Sequence, residues 1–150
     1  MAKLSQGKVA KETSLASYKQ IMVAVVHASA VGLGEVLKKY PNETERTDLI
    51  RTYVNKIRFY PDQTGYFFVH DFDGLNIFHP IKKVQGKNNY DEKDSQGKYY
   101  VRELNSAAKK GGGIVEYYWP TPGEAEEHKK LSYAESISGT KYVIGTGVFF

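Results

Sequence analysis

Residues Gly65–Pro80 read GYFFVHDFDGLNIFHP. Two apolar runs, Tyr66 to Asp71 and Leu75 to His79, flank the dipeptide Asp73-Gly74. This pattern predicts a β-hairpin, because the tight turn that matches strand twist needs positive φ, which glycine adopts without steric cost. The stretch also crowds five aromatic rings and two histidines around the turn. That crowding suits a base-stacking surface, a metal nest or the wall of a small-molecule pocket, and the rest of the chain has to choose.

Upstream of the hairpin the texture is helical. Residues from about Ser5 to Lys39 lack proline, and Ile21, Val25, Ala28 and Val36 fall on one stripe, with Val31 at its edge. Leu33 and Leu37 form a separate i, i+4 pair away from it. Pro41 ends this helix. Asn42, followed three residues later by Glu45, has the form of a capping box and opens a second helix predicted to run through Arg58, with Leu49, Tyr53 and Ile57 on its buried face. The run Ile21 to Gly34 imitates a signal peptide, but a charged lead of twenty residues containing Glu12 and the interruption at His27 argue against that. It is also short for a bilayer span, so it reads as part of a buried helix.

Downstream, residues 81–97 are polar and glycine-bearing, hence loop. Lys98 to Lys110 predicts a short helix stopped by Gly111-Gly112-Gly113. Three strands follow, Ile114 to Trp119, Lys130 to Ile137 and Tyr142 to Phe149, separated by turns at Pro120-Thr121-Pro122-Gly123 and Ser138-Gly139. The expected fold is therefore α+β. One five-stranded antiparallel sheet carries the long N-terminal helix on one face and a loop and short-helix cover on the other. Such a cover packs less completely than a helix layer, which favours a cavity beneath it.

Composition narrows the classes further. The chain has 150 residues, 41% hydrophobic and 25% charged, which fits a single soluble globular domain. A net charge of +4 attracts anions without naming one. Without cysteine there is no disulfide framework, thiolate metal site or cysteine nucleophile. An RNA-recognition strand would need basic, small and aromatic residues where Thr64, Phe67 and Asp71 stand. His70 and Asp71 are adjacent strand residues and point to opposite faces, so they do not converge on a metal. No P-loop, nucleophile elbow or dinucleotide fingerprint occurs, and Gly145-Thr146-Gly147 inside a strand reads as close backbone approach. These readings lead to no catalytic residue, metal or cofactor.

What remains is a small polar ligand among rings. Lys130 and Ser132 begin the fourth strand, Tyr117 and Trp119 share a face of the third, and Tyr66 and Phe68 share a face of the first. One ammonium with several hydroxyl donors in an aromatic pocket suits a short carboxylate. The alternative at this point is that Lys130 flanks an exposed strand end and the rings are core.

Taken together, Ile57-Arg58-Phe59-Tyr60, Gly65-Tyr66-Phe67-Phe68, His79-Pro80, Gly111-Gly112-Gly113, Tyr117 to Gly123, Lys130-Leu131-Ser132-Tyr133 and Ile144 to Val148 resemble the single Cache sensor domain of bacterial chemotaxis receptors and sensor kinases. The resemblance covers about residues 5 to 150. It implies a PAS-like sheet facing the periplasm, as part of an inner-membrane receptor whose membrane anchor lies outside this chain. It also implies one domain over 1–150, with helices over 1–40 and 42–58 and the sheet and its cover over 65–150. Ligands would be acetate, propionate, lactate or pyruvate, contacted by Tyr66, Phe68, His79, Tyr117, Trp119, Lys130, Ser132 and Tyr133, with Arg58 as a further candidate. The expected partner is a second copy paired through the N-terminal helix, and no nucleic acid. Two residues depart from the family pattern. Thr121 stands in place of a lysine near the pocket mouth, and Tyr142 in place of a tryptophan. The alternatives carried forward are an interaction module without a small ligand and a sheet that binds single-stranded nucleic acid.

Overall fold

The computed structural model describes residues 3–149. It contains α1 (Lys3–Leu37), α2 (Glu43–Val54), β1 (Phe68–Asp71), β2 (Asn76–Phe78), α3 (Tyr100–Lys109), β3 (Gly113–Pro120), β4 (Glu127–Ser136) and β5 (Tyr142–Phe149). The strands form one sheet in the order β2-β1-β5-β4-β3, and every neighbouring pair is antiparallel. The α+β, PAS-like architecture read from the sequence is the one observed; residues 1, 2 and 150 lie outside the described range.

The hairpin turns where expected. The Asp71 carboxylate accepts the N–H groups of Asp73 and Leu75, both at 3.0 Å. Gly74 sits at φ 92°, against the backbone nitrogen of Tyr90, where a Cβ would come within 2.7 Å. Only glycine meets both demands.

One sheet face packs on α1 and α2. Its core includes Val26, Ala30, Leu33 and Leu37 from α1, Ile50 and Val54 from α2, and Phe67, Val69, Tyr142 and Ile144 from the sheet. The buried stripe of α1 is therefore Met22, Val26, Ala30, Leu33 and Leu37, not the expected Ile21, Val25, Ala28 and Val36. Ala28 is exposed, Val36 is 46% exposed, and Ile21 and Val25 are only half-buried. The helix is turned by about 100°, one residue's worth. The reason is packing. Gly34 lets α1 close on the β4–β5 turn, where a Cβ would meet Ser138 O at 2.6 Å, and Ser138 N donates to Ala30 O at 3.1 Å. That contact brings Leu33 and Leu37, the larger side chains, onto the sheet.

The second helix starts as read, with Asn42 Oδ1 accepting the Glu45 N–H at 3.1 Å. It stops at Val54 rather than Arg58. There the chain turns so that Phe59 can bridge Gly65, and Arg58 Nη1 donates to the carbonyls of Asn55 and Ile57. Tyr53, expected on the buried face, is 42% exposed, though its hydroxyl bonds Ser29 Oγ at 3.1 Å; Ile50 and Val54 face the core instead. Tyr142 is buried in this core with its hydroxyl 3.4 Å from Glu43 Oε1, so its departure from the family pattern falls on the helix side and not in the pocket.

The other sheet face is covered by α3 and the segment leading to it. Tyr100, Val101, Leu104 and Ala108 of α3 pack on Phe68, Val115, Tyr117, Ala134 and Val143. A buried hydrogen bond from His70 Nε2 to Asn105 Oδ1, 2.8 Å, and another from Asn105 Nδ2 to Phe72 O, 3.1 Å, pin α3 to the end of β1.

Candidate functional site

Strand alternation decides which side chains reach the covered face. On β4 these are Lys130 and Ser132. Lys130 pairs in register with Tyr117 of β3 and with Phe149 of β5. The strand between β4 and β1, β5, offers glycines here. A Cβ on Gly145 would meet Phe68 Cζ at 2.5 Å, and one on Gly147 would meet Ser132 Oγ at 2.5 Å and Lys130 Cε at 2.8 Å. The bare strand thus leaves the space into which Phe68 and the lysine stem fold.

Lys130 is 1% exposed. Its Nζ donates to Tyr66 Oη at 3.0 Å and lies 4.8 Å from the Tyr66 ring centroid, 5.0 Å from Phe68, 5.2 Å from Phe149 and 5.9 Å from Tyr117. No carboxylate among the described residues pairs with it. Burial alone pushes its pKa down to about 7, because a charge removed from water without a counter-ion is costly. Ring quadrupoles offset part of that cost.

Four neutral donor side chains stand near the ammonium. His79 Nδ1 accepts the Ile81 N–H at 3.0 Å, which places the imidazole proton on Nε2. Burial, and then the charge of Lys130, push the His79 pKa down to about 3, so the ring is neutral at any physiological pH. The ring packs between Tyr66 and Trp119, with centroids at 5.6 and 5.5 Å. Trp119 Nε1 is buried and has no hydrogen-bond partner. The Tyr117 hydroxyl and Ser132 Oγ bond each other at 3.0 Å, both buried.

Lys130, His79, Trp119, Tyr117 and Phe68 line a cavity roofed by Tyr100, Val101 and Leu104 of α3, with His70, Asn76 and Asn89 also in its wall. Its interior open to the centre of a water molecule is about 20 Å³. That admits one water-sized body, less than a carboxylic acid needs. Asn76 Nδ2 donates to Lys87 O at 3.1 Å and to Asn89 Oδ1, which ties the cover segment to β2.

Of the residues singled out from sequence, Tyr66, Phe68, His79, Tyr117, Trp119, Lys130 and Ser132 come together. Two do not. Tyr133 lies on the opposite face beside α1, its hydroxyl donating to Glu135 Oε2 at 2.7 Å, because the residue after a pocket-facing Ser132 must point away. Arg58 is exposed and bonded to backbone carbonyls at the end of α2. The residues missed are Tyr100, Val101 and Leu104, which showed helical spacing in a segment already read as the cover, His70, which in sequence reads only as a candidate metal ligand, and Asn76 and Asn89, which gave no local signal. Tyr66 and Phe68 are 6% and 5% exposed, so this face is not open for base stacking.

Comparison with known proteins agrees with this fold. A family model for the Cache domain matches residues 10–150. The sensor histidine kinase MctS of Rhizobium johnstonii is 42% identical over 86 residues, which are 57% of this chain and 19% of that protein. The methyl-accepting chemotaxis protein CtpM of Pseudomonas aeruginosa is 30% identical over 129 residues, 81% of this chain and 22% of that one. The chain thus spans about a fifth of the length of these curated relatives. Among solved structures, a methyl-accepting chemotaxis protein from Vibrio parahaemolyticus superposes with a TM-score of 0.77 at 28% identity, covering 99% of this chain and 97% of that one. A Cache chemosensory domain studied for carboxylic acid recognition gives 0.77 at 26% identity over 92% and 97% of the two chains.

Proposed function

The chain is a member of the Cache domain family, and on that footing we propose that it is the periplasmic ligand-sensing domain of an inner-membrane chemoreceptor or sensor kinase. Its ligand is a short monocarboxylate of the acetate, propionate, lactate and pyruvate class. The observation that carries this reading is Lys130, an ammonium buried among four rings with no anion beside it among the described residues. A protein keeps an uncompensated charge there at a cost to stability, and a bound carboxylate repays it by pairing with Nζ. Trp119 Nε1 and His79 Nε2 supply neutral donors for the carboxylate oxygens, and Phe68, Tyr100, Tyr117 and Leu104 enclose the carbon tail. The solved Cache domain associated with carboxylic acids supports the ligand class.

Because the cavity holds only a water-sized body, binding requires α3 and the segment before it to move outward and settle again around the ligand. The change reaches α1 through β4. Lys130 and Ser132 face the ligand, while Leu131 and Tyr133 between and beside them pack with Met22 and Ile21. A ligand that prefers one arrangement of β4 shifts the population of α1 positions. Two copies pair along the outer side of α1, where Ala24, Ala28 and Val31 are exposed. Residues 14–37 are long and apolar enough to cross a bilayer, but their buried stripe is committed to the sheet.

A thermal-shift panel tests the reading, with acetate, propionate, lactate, pyruvate, a dicarboxylate, an amino acid and an oligonucleotide at fixed pH and ionic strength. A ligand at a hundred times its dissociation constant adds about 2.7 kcal/mol, a rise of roughly 5–10 °C for a chain of this size. Stabilisation by one or two monocarboxylates is the expected result. A flat panel, or stabilisation by the oligonucleotide alone, would overturn it.

A further inference from the structure

A second cationic recess lies apart from the Lys130 cavity. Between the end of α2 and the chain after β2 lies a cleft of about 570 Å³, within the range of small-molecule sites. Arg51, Arg58 and Lys82 border it, and its lining contains no carboxylate. Asp48, outside the lining, makes a long and exposed ion pair with Arg51, Nη1 to Oδ1 3.9 Å, a contact worth little in water. Backbone carbonyls aim both guanidinium groups, and only Arg51 has an acid within reach. Arg51 Nε donates to Ile77 O of the edge strand at 2.8 Å, and Arg58 Nη1 to Ile57 O at 2.8 Å. Held this way, each keeps further N–H donors and its full charge. Lys82 is exposed and makes no ion pair among the described residues, and the amide and hydroxyl side chains of Asn55, Gln85 and Thr52 fill the remaining wall. The floor is Phe78, His79 and Pro80.

The geometry points to a second anion site in this cleft, separate from Lys130, that takes a multivalent carboxylate. Three cations spread around a recess of this size match several carboxylate groups on one molecule better than a single compact anion, and oriented guanidinium groups bind carboxylates through paired hydrogen bonds. The inner cavity offers one ammonium beneath the apolar side chains of α3, so the further charges of such a ligand would be buried there unpaired. The two sites share one wall. His79 lines both, and its ring is fixed by the Ile81 N–H of the cleft segment. A polycarboxylate in the cleft therefore steadies the shared His79 wall, and any coupling between the sites is reciprocal.

Isothermal titration with citrate as the probe tests this, at pH 7 and with sodium chloride matched for ionic strength as the reference. The chain and three variants, Lys82→Gln, Arg51→Gln and Lys130→Met, are compared, with propionate titrated in parallel. Citrate should bind the unmodified chain and the Lys130→Met variant alike, and lose about tenfold or more in affinity on removal of Lys82 or Arg51, in line with loss of a charge-assisted pair. Lys82 makes no contact that the fold needs, so that variant separates binding from folding. Propionate binding should survive both cleft substitutions and vanish with Lys130→Met. No citrate binding to the unmodified chain beyond the chloride reference would overturn the inference, as would citrate binding that disappears with Lys130→Met or ignores both cleft variants. Propionate failing while citrate behaves as stated would overturn the Lys130 reading and leave the cleft standing.

Discussion

Replacing Lys130 by methionine separates what the lysine costs from what it does. Methionine matches the lysine stem as far as Cε, so it can follow the same path past Gly147 while the ammonium is removed. The fall of the Lys130 pKa from 10.5 to about 7 corresponds to about 5 kcal/mol at 1.36 kcal/mol per pH unit. This is a ceiling, because the hydrogen bond to Tyr66 is also lost, worth about 1 kcal/mol. Replacing buried charges by apolar groups elsewhere stabilises by about 1–4 kcal/mol. We expect the ligand-free variant to be more stable by about 2–4 kcal/mol at pH 6, a rise in Tm of roughly 5–15 °C. The sign follows from linkage. A lysine whose folded pKa is lowered destabilises the fold fully below that value, and the penalty fades as pH rises from about 7 towards 10.5. The gap between variant and parent should therefore shrink between pH 7 and 9. Differential scanning calorimetry across that range, with and without propionate, is the assay. A variant that is less stable than the parent at pH 6, or that is still stabilised by propionate, would refute the reasoning.

Other substitutions and conditions probe the same geometry. Monocarboxylate affinity should be constant below about pH 7 and fall about tenfold per pH unit above it, since the ligand then has to bring a proton to Lys130; calorimetry in buffers of different ionisation enthalpy measures that proton uptake. Trp119→Phe removes the unpartnered indole N–H, so it should weaken the carboxylate by about 1–3 kcal/mol while leaving the free protein as stable or slightly more so, a split that titration and melting curves resolve. Gly147→Ala pushes a methyl into Ser132 and the Lys130 stem; a destabilisation of about 1–3 kcal/mol in urea unfolding, together with lost ligand binding, is expected. Tyr133→Phe deletes only the bond to Glu135 on the far face, and affinity should be unchanged.

Most of the architecture is legible in the sequence because local chemistry and tertiary demand agree. Asp73-Gly74 calls for a tight turn and the hairpin uses one. Asn42 and the triple glycine after Lys110 mark helix ends that the structure keeps within a few residues. Register within α1 was not legible, since Ile21, Val25 and Val36 are as apolar as Met22, Val26 and Leu33. Periodicity shows that such a helix has stripes without showing which one the sheet selects. The deciding contact, Gly34 against Ser138, joins residues about a hundred positions apart. The site divides in the same way. Tyr66, Phe68, Tyr117, Trp119, Lys130 and Ser132 follow from strand alternation, which also excludes Tyr133 once Ser132 is placed on the pocket face. Asn76 and Asn89 meet only because the polar loop folds back on β2, and nothing in their immediate sequence marks that encounter.

The central claim is that Lys130 awaits a carboxylate. Its most direct test is to titrate the lysine itself, following the Cε and Nζ resonances of isotope-labelled protein by NMR, first ligand-free and then saturated with propionate. The structure predicts a free pKa of about 7 that rises markedly once the carboxylate is bound. A lysine that titrates near its ordinary 10.5 in the free protein, or whose pKa saturating monocarboxylate leaves unmoved, would contradict it.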